Sequence, residues 1–316
     1  MKIFYLCPDV PFPSGGVYVI YKHVRFLREA GYEAYVLHFK KPFKPQWFAY
    51  DLPVLYLNDN PPLEPGDAII IPEGFPEVMK KFASVPLRKI VFALSHSYIF
   101  DKLPPGENWN DYNVEAVLTP SPTIRHFVQM SMGIDFVSLI PPGLDATLFY
   151  PQKEKELQTV YMGRKDRLGE TVHKIILSRR GSASDIPFIK MNDLPLKEYA
   201  ALLRRSKVYL TASPLEGAHI SVLEAMACGC VCVGFHGLGG RDYMVAEGRG
   251  QNFILVENMD YIALAEKLEE VLMALKNDPD HFAALSENAR LTAATYTEES
   301  ERRALLDFWR DFTKRG

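Results

Sequence analysis

The chain has 316 residues, which is long enough for two domains of ordinary size. Hydrophobic residues make up 47% of it, and a formal net charge of −3 gives no reason to expect a nucleic-acid partner. No apolar run approaches the roughly 18–20 residues that a membrane-spanning helix needs, and residues 1–8 are too few for a signal peptide, so we expect a cytoplasmic protein.

Strands and helices alternate along the first half of the chain. An apolar strand at 2–7 leads into a loop rich in proline and glycine, and a helix is predicted at 17–30. Further strands are predicted at 34–38, 68–71, 89–94, 114–118 and 136–140, with helices at 77–83 and 123–132. This alternation predicts a mostly parallel sheet with helices on both faces, and the proline-rich stretch 42–65 is expected to be irregular.

Two places in this half are candidates for a site. Gly15 and Gly16 end the loop between the first strand and its helix, where backbone amides often bind phosphate. Their spacing matches no dinucleotide fingerprint and no P-loop, so glycines of a tight turn are an equal alternative. His96 follows the strand 89–94, and ligands bind outside the carboxyl ends of such strands. A structural histidine is the alternative there.

The alternation resumes after residue 145. Strands are predicted at 159–162, 187–191, 208–211, 231–233 and 253–256, with helices at 196–205, 261–276, 281–295 and 298–314. Glycines at 234, 237, 239 and 240 follow a buried strand, but their spacing is poor for a dinucleotide-binding loop.

The most informative stretch is 214–234. Glu216 follows an apolar strand, a helical pattern then runs to Gly229, and Glu224 lies eight residues after Glu216. Eight helical steps separate the two carboxylates by about 12 Å along the axis, too far to share a proton or a metal but suited to the two ends of an elongated ligand. A phosphate suits the first amides of the helix, which belong to His219, Ile220, Ser221 and Val222. An ordinary amphipathic helix with two solvated glutamates is the alternative.

The run E-G-x5-L-E-A-M-A-C-G resembles the E-x7-E signature of retaining glycosyltransferases of family 4. The resemblance implies the GT-B fold, two Rossmann-like domains facing across a cleft. It implies that Glu216 and Gly217 lie at the donor hexose and that Glu224 binds the nucleotide ribose. The sequence departs from the family at Ala218 and His219, where an aromatic residue and glycine are usual.

The same resemblance extends along nearly the whole chain. It implies that Gly15 and Gly16 line the cleft near the diphosphate and acceptor, and that His96 faces donor and acceptor. The run 141–151 resembles the family's linker, so we expect an acceptor-side domain at 1–145 and a donor-binding domain at 146–297. The helix 298–316 is expected to pack back on the first domain.

Two basic residues are candidates for holding the diphosphate. Arg164 matches the arginine of the family's Gly-Arg pair, whereas Gly169 stands near the place of the expected lysine, so Lys165 or Arg167 would substitute for it. A solvated basic turn is the alternative. The nucleobase is placed at the turn that begins with Met191. The 52 positions between Arg164 and Glu216 (216 − 164) are fewer than the family shows, which predicts a shortened second domain.

No metal site is expected. Three of the four cysteines, Cys228, Cys230 and Cys232, fall at a helix end and on a buried strand, where free cysteine is a common apolar filler. Asp278 and Asp280 resemble the metal-binding acidic motif of the other glycosyltransferase fold, but they lie between two helices, which favours a capping turn.

These observations predict a retaining hexosyltransferase of polysaccharide biosynthesis. It would move a hexose from a nucleotide diphosphate sugar, with UDP favoured, to a hydroxyl of a saccharide or lipid-linked saccharide, without a metal cofactor. Peripheral contact with the inner face of the membrane is compatible with such an acceptor. The alternatives are a non-catalytic or phosphorylase-like relative that binds nucleotide or sugar phosphate, and a dinucleotide oxidoreductase that uses the glycines at 234–240.

Overall fold

The computed structural model describes residues 1–163 and 167–315. The chain forms two compact units. The first comprises Met1–Pro142 with the C-terminal segment from Glu298 onward, and the second comprises Gly143–Thr297. The sequence analysis placed the first of these boundaries after residue 145.

The first unit is built on a parallel sheet of seven strands. In chain order they are β1 (Ile3–Leu6), β2 (Ala34–His38), β3 (Val54–Tyr56), β4 (Ala68–Pro72), β5 (Arg88–Phe92), β6 (Val114–Thr119) and β7 (Val137–Leu139). Their order across the sheet is β3-β2-β1-β4-β5-β6-β7, and every neighbouring pair is parallel. The central strands are buried along their whole length, as apolar runs are when helices cover both faces of a sheet.

Helices of this unit connect the strands. They are α1 (Gly15–Glu29), α2 (Pro76–Phe82), α3 (His96–Ile99) and α4 (Pro122–Met132). One prediction was wrong: the stretch 42–65 is not irregular throughout, because β3 pairs with β2 from Val36–Val54 to His38–Tyr56. Three half-buried residues at a sheet edge are too few to show a period in the sequence.

The second unit is built on a parallel sheet of five strands. Its elements are β8 (Glu156–Tyr161), α5 (Leu168–Arg179), β9 (Phe188–Lys190), α6 (Leu196–Arg205), β10 (Ser206–Thr211), α7 (Ile220–Ala227), β11 (Val231–Gly234), β12 (Ile254–Leu255), α8 (Tyr261–Asn277) and α9 (Ala283–Ala293). The order across the sheet is β12-β11-β10-β8-β9. Helix α5 is an element that the sequence patterns above do not predict.

The last helix, α10 (Glu298–Thr313), belongs to the first unit and packs on α1. Lys22 Nζ lies 2.6 Å from Glu301 Oε2, and His23 Nε2 lies 3.2 Å from Glu301 Oε1, with all three side chains buried. Burial by itself raises the pKa of the Glu301 carboxyl, but the charge of Lys22 and the contact with His23 outweigh it, and the pKa is lowered. Such a pair costs several kcal/mol to break from one side.

Candidate functional site

Glu216 and Gly217 follow β10, one of the two strands between which the strand order of the second sheet reverses. The chain runs from β8 to β9 on one side of β8 and then to β10 on its other side, so β8 and β10 flank the switch point. In open α/β sheets, ligands bind in the crevice outside the carboxyl ends of these two strands. The segment with Arg164 follows β8, and the segment with Glu216 follows β10.

Glu216 lies outside the helix that carries Glu224. Helix α7 begins at Ile220, and its N-cap residue His219 has φ 53° and ψ 45°, a left-handed conformation. The chain therefore turns between the two glutamates. The separation of about 12 Å predicted for eight helical steps does not apply, because only the last part of that spacing is helical.

Backbone and side-chain hydrogen bonds hold Glu216 in place. The Ser213 hydroxyl donates to Glu216 Oε1 at 2.9 Å. The Glu216 amide donates to the Gly237 carbonyl at 2.8 Å, and the Gly239 amide donates to the Glu216 carbonyl at 3.0 Å. The second glycine-rich stretch of the sequence is therefore a partner of Glu216, and a Cβ on Gly239 would overlap the Gly217 carbonyl.

His219 occupies the left-handed position at which the related family usually has glycine. Its side chain is only 3% exposed, and its Nε2 lies 2.9 Å from the hydroxyl of Thr211 at the end of β10. The Tyr243 hydroxyl donates to the His219 carbonyl at 2.9 Å. Histidine tolerates this backbone conformation better than bulky or β-branched residues do. The imidazole is buried against Thr211, and Ile220, Ser221 and Val222 follow as the first turn of α7.

Glu224 is bound by a residue that the sequence analysis missed. The Tyr199 hydroxyl, on α6, donates to Glu224 Oε2 at 2.7 Å. Burial and the charge of Glu224 raise the pKa of Tyr199 well above its usual value, so the hydroxyl stays protonated and donates. Glu224 itself is half-buried. The only sequence signal for this contact is a tyrosine inside the amphipathic helix that precedes the strand β10.

The proposed diphosphate cations are Arg164 and Lys165, and both lie outside the described residues. Beside them, the Gly163 amide donates to Asn192 Oδ1 at 3.2 Å, which ties the end of β8 to the turn predicted to receive the nucleobase. Met191 in that turn is 1% exposed, so its side chain packs in the core of the unit.

The structure also explains why glycine stands near the expected lysine position. Gly169 lies in the first turn of α5 against the ring of Tyr161, and a Cβ there would lie 2.6 Å from Tyr161 Cδ2. A further cation, Lys190, lies across Gly163 and pairs with Glu170. No sequence pattern indicated Lys190, because it comes from β9.

Among the candidates of the first unit, Gly15 and Gly16 follow β1, which flanks the switch point between β1 and β4, whereas His96 follows β5 on the far side of β4. Gly15 and Gly16 are not in the loop as predicted but form the first turn of α1, and a Cβ on Gly16 would lie 3.0 Å from Leu94 Cδ1. His96 begins α3, and its ring packs on Phe127 with centroids 5.9 Å apart. The Ser95 amide donates to Oε1 of the buried Glu73 at 2.8 Å.

Residues 1–163 and 167–315 contain neither a metal-binding cluster nor a membrane-spanning helix. Within these ranges no group of three or more histidine, cysteine or acidic residues could hold a metal ion. No helix there is long and apolar enough to cross a membrane. All four cysteines are free and buried, and burial raises the pKa of Cys228, Cys230 and Cys232, as expected for packing residues.

The second unit matches a known family. Residues 188–292 match the family model described as glycosyl transferases group 1. The chain is also 25% identical over 230 residues to the alpha-1,6-glucosyltransferase of Actinobacillus pleuropneumoniae serotype 7 (strain AP76), an alignment that covers 71% of this chain and 69% of that protein. These two similarities support a glycosyltransferase of group 1.

Solved structures share the fold. Sucrose-phosphate synthase from Thermosynechococcus elongatus is similar with a TM-score of 0.72 and 14% identity over 100% of both chains. HepE of Anabaena, solved with UDP and glucose, is similar with a TM-score of 0.72 and 14% identity over 98% of this chain and 100% of that one. The prediction of a GT-B fold, with two Rossmann-like α/β domains, is confirmed.

Proposed function

We propose that this protein is a retaining glycosyltransferase that transfers a hexose from UDP-hexose, with UDP-glucose as the first candidate donor, to a hydroxyl of a saccharide or lipid-linked saccharide. The observation that carries the proposal is the arrangement at the switch point of the second sheet. There Glu216 is held by the loop that follows β11, and Glu224 is held by Tyr199 on the preceding helix α6. The glucosyltransferase relative and the UDP and glucose of the HepE structure support this choice of donor.

Each end of this arrangement suits one part of the donor. A carboxylate accepts hydrogen bonds from vicinal hydroxyls, and Glu224, oriented by Tyr199, would accept them from the ribose. Glu216 would accept hydrogen bonds from hydroxyls of the hexose. The first turn of α7, with the positive end of its dipole, would lie at the diphosphate, where Arg164 and Lys165 would neutralise the charge that develops on the leaving group.

The proposed reaction follows the route suggested for the related family. The bond between the anomeric carbon and the diphosphate oxygen breaks, the acceptor oxygen attacks from the same face, and a phosphate oxygen takes the acceptor's proton. His96 would contact the sugar and the acceptor during this step. Because side chains and a helix terminus supply the positive charge, no divalent metal is needed for the leaving group in this scheme.

A donor screen tests the proposal. The protein is titrated with UDP, UDP-glucose, UDP-galactose, UDP-N-acetylglucosamine, GDP-mannose and NADH, and the melting temperature and calorimetric affinity are recorded. We expect UDP and UDP-glucose to raise the melting temperature while NADH does not. Proton NMR of the product then reports the anomeric configuration, and retention is the expected outcome. Binding without transfer to any saccharide acceptor would favour the non-catalytic alternative.

A further inference from the structure

The loop 235–240, which follows β11, contains a residue in a rare backbone conformation. Leu238 has φ 73° and ψ −61°. This is the γ-turn conformation with positive φ, which residues other than glycine adopt at a cost in free energy. Beside Leu238 the chain passes close to Glu216, because a Cβ on Gly237 would lie 2.8 Å from Glu216 Cβ.

The peptide groups on either side of Leu238 are both bonded to Glu216. The Gly237 carbonyl accepts from the Glu216 amide at 2.8 Å, and the Gly239 amide donates to the Glu216 carbonyl at 3.0 Å. In a free γ-turn these two groups would bond to each other. In this strained turn the Gly237 carbonyl and the Gly239 amide are instead bonded to Glu216, the residue that we place at the hexose of the nucleotide sugar.

One further side chain stabilises the turn. The Leu238 amide donates to Nδ1 of His236 at 3.0 Å. An imidazole that accepts at Nδ1 is neutral, with its proton on Nε2. His236 is two residues before Leu238, so its ring bonds the chain locally.

We propose that His236 is a positioning residue of the donor site: its Nδ1 lone pair holds Leu238 in the γ-turn, and the turn in turn holds Glu216. The effect on transfer rests on the proposed function, whereas the effect on the loop does not. No role for this histidine follows from the E-x7-E resemblance.

The charges around His236 favour the neutral ring. Arg241 Nε–H points at His236 Nε2 from 3.3 Å, a longer contact than the 3.0 Å between the Leu238 amide and Nδ1, and a neutral ring has only one accepting nitrogen. We therefore assign the accepting lone pair to Nδ1. Glu257 contributes the opposite charge from farther along the chain. Burial and Arg241 together lower the pKa of His236, against the smaller effect of Glu257. Protonation at low pH would place a hydrogen on Nδ1, and the ring would then repel the Leu238 amide instead of accepting from it. The proposal thus predicts that the loop loosens in acid.

Asparagine offers a matched test of this hydrogen bond. Its side-chain oxygen accepts from the amide two residues on in an Asx-turn, and it does not titrate. His236→Asn should keep the bond to Leu238, and His236→Ala should lose it. His281→Ala, which changes an exposed histidine between α8 and α9, is the control.

The first measurement uses the protein without ligand, so it is independent of which donor is bound. Hydrogen exchange is followed by mass spectrometry in peptides that cover 213–218 and 235–241. We expect both to exchange about fivefold faster in His236→Ala, the ratio that one ordinary hydrogen bond is worth, and to exchange at the wild-type rate in His236→Asn and His281→Ala. Wild-type exchange in His236→Ala, or equal acceleration in His236→Asn, would overturn the proposal.

The second measurement is transfer from UDP-glucose. His236→Ala should lower kcat/KM about tenfold, and His236→Asn should stay within about twofold of wild type. As pH falls below about 6.5, wild-type kcat/KM should fall by a step that His236→Asn lacks. If kcat/KM falls at low pH in His236→Asn as it does in wild type, the positioning role is contradicted. If His236→Ala does not fold, wild type and His236→Asn are compared by exchange in 213–218 at pH 5.5 and 7.5, corrected for intrinsic rates. Exchange should be faster at pH 5.5 in wild type but not in His236→Asn, and the same pH dependence in both would overturn the proposal.

Discussion

The candidate sites of the two units follow the carboxyl ends of strands in their sheets and are held in different ways. In the second unit, hydrogen bonds from Ser213, Gly237 and Gly239 fix Glu216, and Tyr199 fixes Glu224. In the first unit, His96 begins a helix of four residues, and the aromatic residues that follow it are exposed, Tyr98 by 44% and Phe100 by 51%.

This difference indicates a division of tasks. A site whose carboxylates are already bonded in place loses little entropy when its ligand binds, which suits recognition of one constant molecule such as the nucleotide. Exposed aromatic rings beside a polar group suit a more variable partner, because they offer area without many directional bonds. We therefore expect donor affinity to depend on the second unit and turnover with the acceptor to depend on the first.

The largest expected effect concerns the buried ion pair between α1 and α10 of the first unit. Lys22→Met removes the cation that offsets the burial of Glu301, and we expect a loss of about 3–5 kcal/mol in the free energy of unfolding. Arg25→Met breaks a half-exposed pair with Glu298 between the same two helices and should cost only about 0–1 kcal/mol. All three tryptophans, Trp47, Trp109 and Trp309, lie in the first unit, so tryptophan fluorescence in urea reports its unfolding. Equal losses in both variants would contradict the prediction.

The next test separates chemistry from binding at His96. We expect His96→Ala to lower kcat by about 10²-fold or more, the effect of losing a positioned polar catalytic group, while UDP affinity stays within about twofold. His126→Ala, an exposed histidine on α4, is the control. Turnover is measured with UDP affinity and melting temperature on the same preparation. Normal turnover in His96→Ala would reduce this residue to packing, and a collapsed melting temperature would do the same.

Substitution of Glu224 should weaken nucleotide binding, in contrast to substitution of His96, which should lower turnover. Glu224→Ala should weaken UDP binding by roughly 1.5–3 kcal/mol, because bonds from the ribose to a charged acceptor are lost. Tyr199→Phe keeps the carboxylate but loses the bond that orients it, so we expect a smaller loss of about 0.5–1.5 kcal/mol. Calorimetry with UDP measures both. If Tyr199→Phe binds UDP as tightly as wild type does, Glu224 is not oriented by that contact.

The smallest expected effect is that of chelation. Transfer from UDP-glucose should be unchanged within error in excess EDTA, because the positive charge at the diphosphate is proposed to come from side chains and the first turn of α7. Activity that EDTA abolishes and Mg²⁺ or Mn²⁺ restores would show that a metal assists the leaving group. It would also make Asp278 and Asp280 candidate metal ligands.

Much of the fold could be predicted from the sequence. The strand Ala34–His38 and the helix Leu196–Arg205 were predicted to the residue, because each has a clear apolar period bounded by turn or breaker residues. Strand β3 and helix α5 could not be predicted in this way. The first is three half-buried residues at an edge, and the second buries few side chains, among them Val172 and Ile176.

The candidate site divides along the same line. By itself the sequence determined that Glu216 and Glu224 follow a buried strand at the spacing of the E-x7-E motif that the run resembles, since that signal lies within one run of residues. Only the tertiary structure decided that Glu216 precedes the helix, that Tyr199 orients Glu224 from 25 residues away, and that the loop with His236 and Leu238 bonds the backbone of Glu216. The physical reason is that these partners come from different strands and helices, which the parallel sheet brings to one edge and no local period records.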